Sequence, residues 1–349
     1  MDLTTFDPNG VGVDTGNYFG LSFTPEESEL VLLSAPWDVT VSYGAGTAFA
    51  PDAIIAASTQ LDLYDGAAHN LWQRGIATAP IDYDLQELSE RLRNDAERVI
   101  QHLEDGGSIH DDSVIRKIRR VNEGSQTLNE NLYAQASKWL DQGKLVGLVG
   151  GDHSTPFGVI RALADRHPHF GILHIDAHCD LREAYEGFEF SHASIMYNVL
   201  KQIPQVEKIV QVGVRDFCDA EYELGQSDPR LCQFEARALD AAEFEGMTWR
   251  EQCDRIIEQL PHELYISFDV DGLSPENCPH TGTPVPGGLS YNRAIYLLER
   301  LASSGRRIIG FDLVEVTPSP EDRTDEIVGA RLLYKLCGLS LKSQPQARL

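Results

Sequence analysis

Short runs of β-branched and aliphatic residues alternate along this chain with stretches of helical periodicity, and that alternation limits the possible folds more than any other feature of the sequence. The runs that read as strands are 30–35, 76–81, 144–149, 171–175, 208–212, 231–234, 263–268 and 307–311. Apolar residues at helical spacing fill 51–63, 156–166, 249–260, 292–303 and 326–336. Strands alternating with helices build βαβ units, and these pack as a parallel sheet with helices on both faces. The expected fold class is therefore α/β: a single domain over residues 1–349 with a central parallel sheet of eight strands. One region breaks the rhythm. Residues 85–140 contain no strand signal and read as two helices, with Gly106-Gly107 ending the first. They form a helical elaboration that packs on the sheet or in an oligomer contact. No Pro/Ser linker, low-complexity tract or internal repeat divides the chain.

Charge narrows the partners. The chain has 54 acidic residues against 29 basic ones, a formal net charge of −25. Nucleic acids and anionic membrane surfaces are bound through positive footprints, so both are excluded as partners. A cationic small substrate is compatible with such a field, and so is plain surface solvation. The first residues have neither a basic start nor an apolar core, so no signal peptide is expected. No apolar run approaches the ~18 residues of a membrane span. Cys179, Cys218, Cys232, Cys253, Cys278 and Cys337 show no Cys-x-x-Cys spacing, which argues against a disulfide framework or a zinc ribbon. The expectation is a cytoplasmic protein.

Four short segments place polar residues where strand ends do not need them. They are Gly150-Gly151-Asp152-His153-Ser154, His174-Ile175-Asp176-Ala177-His178-Cys179-Asp180, Ser267-Phe268-Asp269-Val270-Asp271-Gly272 and Phe311-Asp312-Leu313-Val314-Glu315. In an open parallel sheet the carboxyl ends of the strands share one edge, where ligands bind, so the four clusters should converge. Taken singly, an Asp-x-Asp after a strand also serves as a turn former or helix cap. Asp176, His178 and Asp180 alternate, so an extended chain would turn all three to one face and Cys179 to the other, leaving Cys179 as a buried, inert thiol. Like charges this close need a cation or protons between them. With His153, Asp269 and Asp271 the set reaches four carboxylates and two imidazoles, which suits two divalent ions of intermediate hardness rather than one Zn²⁺.

These motifs, in this order, resemble those of the ureohydrolases: arginase, agmatinase, guanidinobutyrase and their relatives. The resemblance runs over about residues 31–336. It implies an arginase-like single α/β domain with an eight-stranded parallel sheet. It implies two Mn²⁺ ions, with Ni²⁺ or Co²⁺ as alternatives. One would be held by His153, Asp176, Asp180 and Asp269, the other by Asp176, His178, Asp269 and Asp271. The implied reaction is hydroxide attack on a guanidinium carbon, releasing urea and an amine. In it Asp180 orients the nucleophile, Glu315 clamps the guanidinium, and His192 is the general acid. Assembly as trimers or hexamers is implied as well.

The stretch from Asp180 to Gly187 and the Ser191-His192-Ala193-Ser194 motif are similar to agmatinases, and the Asn- and Ser-containing loop that holds the carboxylate of arginine in arginases is absent. Agmatine is therefore the first expectation. Thr281-Gly282-Thr283-Pro284-Val285-Pro286-Gly287-Gly288 matches a family loop beside the pocket, and Ser42 to Thr47 keeps a small Gly-rich loop. The usual Arg-x-Gly-Pro after that loop is replaced by Phe49-Ala50-Pro51, Ala193 replaces a common Gly, and the segment after Glu315 lacks Tyr-Asp. Guanidinobutyrate, free guanidine and arginine thus stay open as substrates. Outside the class, a deacetylase-like amidohydrolase would bind one Zn²⁺, and a non-catalytic regulator would be expected to have lost ligands.

Overall fold

Residues at successive positions of one strand enter opposite cores, so the sheet is buried on both faces. Leu30 and Leu32 join one core cluster while Val31 and Leu33 join the other. That is why the strands read as continuous apolar runs rather than as alternating ones. The computed structural model describes residues 1 and 3–345. Among these, the strands are β1 (Leu30–Ala35), β2 (Ile76–Thr78), β3 (Leu145–Gly150), β4 (Phe170–Ile175), β5 (Val206–Val212), β6 (Leu231–Phe234), β7 (Glu263–Asp269) and β8 (Arg307–Val314). They form one eight-stranded sheet in the order β2-β1-β3-β8-β7-β4-β5-β6. Every pairing is parallel. The expected α/β class and strand number are both observed.

The helices are α1 (Ala50–Ser58), α2 (Tyr83–Glu104), α3 (Asp112–Leu140), α4 (Phe157–Ala164), α5 (Ile195–Gln202), α6 (Asp219–Ser227), α7 (Ala236–Phe244), α8 (Trp249–Glu258), α9 (Tyr291–Ala302) and α10 (Thr324–Ser343). One face of the sheet packs against Ile54 of α1, Ile256 of α8, Leu297 of α9 and Leu333 of α10. The other packs against Leu92 of α2, Leu132 of α3, Val159 of α4 and Val199 of α5. Local chemistry sets the helix ends. Asp82 caps α2 by accepting the Asp84 N–H, and Thr248 and Glu251 form a reciprocal capping box at α8. After α2 the chain reverses through Gly106 at φ 80°, a left-handed turn that glycine adopts without penalty. Residues 85–140 are thus a helical hairpin, α2–α3, broken where the Gly-Gly pair stands.

Two features differ from the sequence reading. The 76–81 run stops at Thr78, two residues before Pro80, which has no N–H for a ladder. Helices α5, α6 and α7 carried no readable signal: they have eight or nine residues each, and α6 buries only Glu221. Two turns are too short for a period to stand out, even in α5, which buries Ile195, Met196, Val199 and Leu200.

Candidate metal centre and active-site cavity

The four central neighbours in the sheet, β3-β8-β7-β4, are the four strands whose carboxyl ends carry the polar clusters. His153 follows β3, Glu315 follows β8, Asp269 ends β7 and Asp176 follows β4. Residues up to 162 positions apart therefore meet because their strands are adjacent. Close approach at this edge requires glycine at 151, where a Cβ would lie 1.8 Å from the Trp37 carbonyl oxygen.

Three carboxylates share one design. Each spends one oxygen on a loop N–H and turns the other toward an imidazole. Asp176 Oδ1 accepts the His178 N–H (2.6 Å), Asp269 Oδ1 the Asp271 N–H (2.8 Å) and Asp271 Oδ1 the Ala177 N–H (2.9 Å). The second oxygens of Asp176 and Asp269, with Asp180 Oδ2, lie 2.9, 3.2 and 3.1 Å from His153 Nδ1. Asp271 Oδ2 lies 3.0 Å from His178 Nδ1. The strand stops at Ile175, so Asp176 to Asp180 is a loop, and Asp180 adopts φ 53°, a conformation rare for a non-glycine residue. Glu315 shares that feature at φ 63°.

Ser267 and Asp312 set the tautomer of His153. Ser267 Oγ donates to Asp312 Oδ1 (3.2 Å) and so accepts from His153 Nε2, 2.8 Å away. Nδ1 is then the atom turned to three carboxylate oxygens, and this buried nitrogen makes no hydrogen bond. In the neutral ring it carries a lone pair, and a lone pair facing anions at these distances is the arrangement of ligands around a cation. The electrostatics of the cluster point the same way. Burial, and then the charge of Asp176, push Asp180 up to about 7. Burial with Asp271 and Asp176 raises Asp269 well above the carboxylate range. Burial opposes charge on His153 and His178, yet the surrounding carboxylates hold both well above the ordinary histidine value. Left without metal, the centre must take up protons; divalent ions are the alternative. The donor set fits them.

The sequence reading gave His174 no role and missed Gln211 and Gln233 beneath this layer. Gln211 Oε1 accepts from Gln233 Nε2 (2.9 Å), so its amide nitrogen donates to His174 Nδ1 (2.9 Å). His174 Nε2–H must then donate to Asp176 Oδ2 (2.8 Å). Although His174 lies close enough to join a metal-binding group, its tautomer makes it a support of Asp176 rather than a ligand. The signal was present in the sequence: a histidine two residues before a ligand shares its side of the chain. Cys179 is fully buried, burial keeps its thiol protonated, and Sγ accepts from Gln233 Nε2 at 3.3 Å.

Above the cluster lies a cavity of about 420 Å³, whose wall includes His153, His178, Asp180, Asp269, Asp271, His192 and Glu315. Asp176 sits below them. All eight residues singled out from sequence are therefore gathered at one place. Glu315 Oε1 accepts the His153 N–H (2.8 Å); burial and the neighbouring Asp152 raise its pKa well above the usual range. His192 packs its ring edge-on against Tyr185 (centroids 5.9 Å apart), and its Nδ1 is buried without a partner. Burial, with the positive charge of His178 and His153, lowers its pKa to about 3. The two rim loops noted in the sequence meet at the mouth, where Gly44 N–H donates to Gly282 O (3.2 Å).

Comparison with known proteins identifies the family. Residues 28–338 match the family model described as "Arginase: Arginase family". The N(1)-aminopropylagmatine ureohydrolase of Thermus thermophilus is 30% identical over 326 residues, covering 92% of this chain and 94% of that protein. The agmatinase of Bacillus anthracis is 27% identical over 84% of this chain and 85% of its own length. The proclavaminate amidino hydrolase of Streptomyces clavuligerus superposes with a TM-score of 0.70 at 21% identity, covering 94% of this chain and 97% of that one. The agmatine ureohydrolase of Thermoplasma volcanium superposes at 0.69 with 22% identity, covering 92% of each chain. With residues 28–338 matching the family model and the fold shared, this chain belongs to the arginase family and is one of its ureohydrolases.

Proposed function

We propose that the protein hydrolyses agmatine, or an N-substituted relative of it, to urea and an amine. The observation that carries this reading is the ring of carboxylate oxygens 2.9–3.2 Å from His153 Nδ1, at the floor of a cavity that also holds Glu315 and His192. One divalent ion would be held by His153, Asp176, Asp180 and Asp269, the other by Asp176, His178, Asp269 and Asp271. Manganese suits the donors, and nickel or cobalt fit the same set. When bound, the pair supplies Lewis acidity and makes water acidic enough to yield a nucleophile near neutral pH.

The chain's own groups do the rest. Glu315 has one oxygen fixed by the His153 N–H, which leaves the other for the N–H groups of a guanidinium. Asp180 orients the nucleophile at the cavity floor. The amine departs only after receiving a proton, and His192 stands in the wall to deliver it. Burial keeps this ring neutral at rest, so it relays to the amine the proton released when water adds to the guanidinium carbon.

The cavity's outer charges favour a cationic tail over a carboxylate. Arg182 faces Glu221 at 3.6 Å, and Glu221 also accepts the Leu181 and Cys218 N–H groups, so this pair is internally satisfied. Asp216, also on the wall, makes no side-chain hydrogen bond or ion pair among the described residues. The relatives acting on agmatine and aminopropylagmatine, both without a carboxylate, support the same choice. A cytoplasmic homotrimer or homohexamer completes the proposal.

Protein loaded with Mn²⁺, Ni²⁺ or Co²⁺ is assayed for urea from agmatine, aminopropylagmatine, guanidinobutyrate, guanidine and arginine. Release is expected from an amine-tailed guanidine, with two ions per chain by elemental analysis. No urea from any compound with any metal overturns the reading.

A further inference from the structure

The helical hairpin α2–α3 contributes no residue to the metal cluster or to the lining of the cavity, yet it grips both chain segments that hold His192. On one side is the loop after β1. Arg93 of α2 donates from Nη1 to the carbonyls of Val39 (3.2 Å) and Val41. Between those two residues stands Thr40, which is fully buried and whose Oγ1 accepts the His192 N–H (3.2 Å). Ser89, one turn earlier on α2, accepts the Asp38 N–H at 3.2 Å and holds the start of the same loop. Arg93 is itself steadied by Glu97 at 3.1 Å, one turn along the helix.

On the other side is the loop carrying Tyr185, whose ring meets the imidazole edge-on. Asn122 of α3 brackets it as Arg93 brackets Thr40. Its Nδ2 donates to Gly187 O (3.3 Å) and its Oδ1 accepts the Glu189 N–H (3.0 Å). Ile109 and Ile118 fill the space against Gly187, leaving no room for a Cβ there. An isolated loop of this length samples many conformations, and each tether removes freedom that His192 would otherwise have to give up at the moment of reaction.

We propose that the α2–α3 hairpin is a scaffold for His192, with Arg93 a positioning residue acting through Thr40 and Asn122 a positioning residue acting through the Tyr185 loop. The inference rests on the reading of His192 as the group that protonates the leaving amine. It assigns the hairpin a catalytic duty at a distance.

The test compares wild type with Arg93→Gln, Thr40→Val and Asn122→Ala as full-length, metal-loaded protein, using hydrogen exchange with peptide resolution and steady-state kinetics. In Arg93→Gln and Thr40→Val, the amide of His192 should exchange about tenfold faster while the β5 peptide is unchanged. In these two variants and in Asn122→Ala, kcat should fall about tenfold with KM within about twofold, because binding to Glu315 is untouched. Arg93→Lys keeps one donor for the two carbonyls and should recover most of the loss. Unchanged exchange at His192 in both Arg93→Gln and Thr40→Val overturns the proposal. So does a loss that falls on KM alone, or one that Arg93→Lys does not relieve. Thr40→Val removes a single hydroxyl, so it remains informative if Arg93→Gln fails to fold. The exchange measurement needs no guanidine turnover, so a wrong substrate assignment and a wrong scaffold assignment give different results.

Discussion

His174 donates its Nε2–H to Asp176 Oδ2 across 2.8 Å, and Gln211 holds the ring's other nitrogen as an acceptor. The carboxylate that both metals would share is thereby oriented from below by a neutral histidine, whose pKa burial lowers. Supports of this kind tune affinity without contributing a ligand. His174→Gln should keep two ions per chain but weaken Mn²⁺ binding roughly 10–100-fold, as read by competition with a metallochromic chelator.

Removing a ligand differs in kind. Asp176→Asn and Asp269→Asn each take a negative charge from the centre of the cluster and leave imidazoles facing an amide. Urea release should fall by at least about 10³-fold, as expected for loss of the group that generates the nucleophile, and elemental analysis should find fewer than two ions. Full activity in either variant would exclude a shared-carboxylate centre.

Asp216 is the unpaired charge of the outer cavity among the described residues. Its carboxylate meets an ammonium tail only if the substrate has one. Asp216→Asn should raise KM for agmatine about two- to fivefold, the order of an exposed charge pair of ~0.5–1 kcal/mol. KM for an alkylguanidine without an amine should not move. Equal effects on both would remove Asp216 from substrate recognition.

His280 joins the rim loop to α10. Asp325 accepts both its backbone N–H (3.0 Å) and its ring Nδ1–H (2.8 Å). Hydrogen bonding to Asp325, with Asp322 and Glu326 nearby, raises the histidine's pKa. Burial outweighs the pairing at Asp325, whose pKa is also raised, so the histidine carries the dependence near neutrality. Because the folded state favours protonated His280, its stabilisation is full below the ordinary value of 6.5 and fades as pH rises through the raised one. The Tm difference between wild type and His280→Gln should therefore be largest near pH 6 and shrink toward pH 9. A difference independent of pH would refute this.

Gly151→Ala tests the sheet edge. Its Cβ would collide with the Trp37 carbonyl oxygen, so the β3 end must move away from β1. A loss of about 3 kcal/mol is expected by denaturant unfolding, with weaker metal binding because His153 stands two residues on.

Much of this was legible in the sequence, for physical reasons. Strands buried on both faces announce themselves as apolar runs, and polar residues such as Asp176 and Asp269 stand out because they end such runs. The supports were harder to see. His174, Gln211 and Ser267 lie inside strands, where a polar residue looks like an interruption until its partner on the next strand is known. Asp312 was read as lying past the last strand; it lies within β8, where it accepts the Phe268 N–H at 3.2 Å. Arg93 and Asn122 left no trace at all, because a side chain that binds carbonyls of a distant loop imposes no pattern on its own helix.

The position of β8 has a consequence for the making of the protein. Without β8 the sheet is two separate ladders, β2-β1-β3 and β7-β4-β5-β6, with no hydrogen bond between them. His153 belongs to the first and Asp176 and Asp269 to the second. Until Arg307–Val314 is in place between them, His153 has no sheet connection to the carboxylates. A chain truncated before that strand would isolate His153, while Asp176, His178, Asp269 and Asp271 stay together at the ends of the adjacent strands β4 and β7.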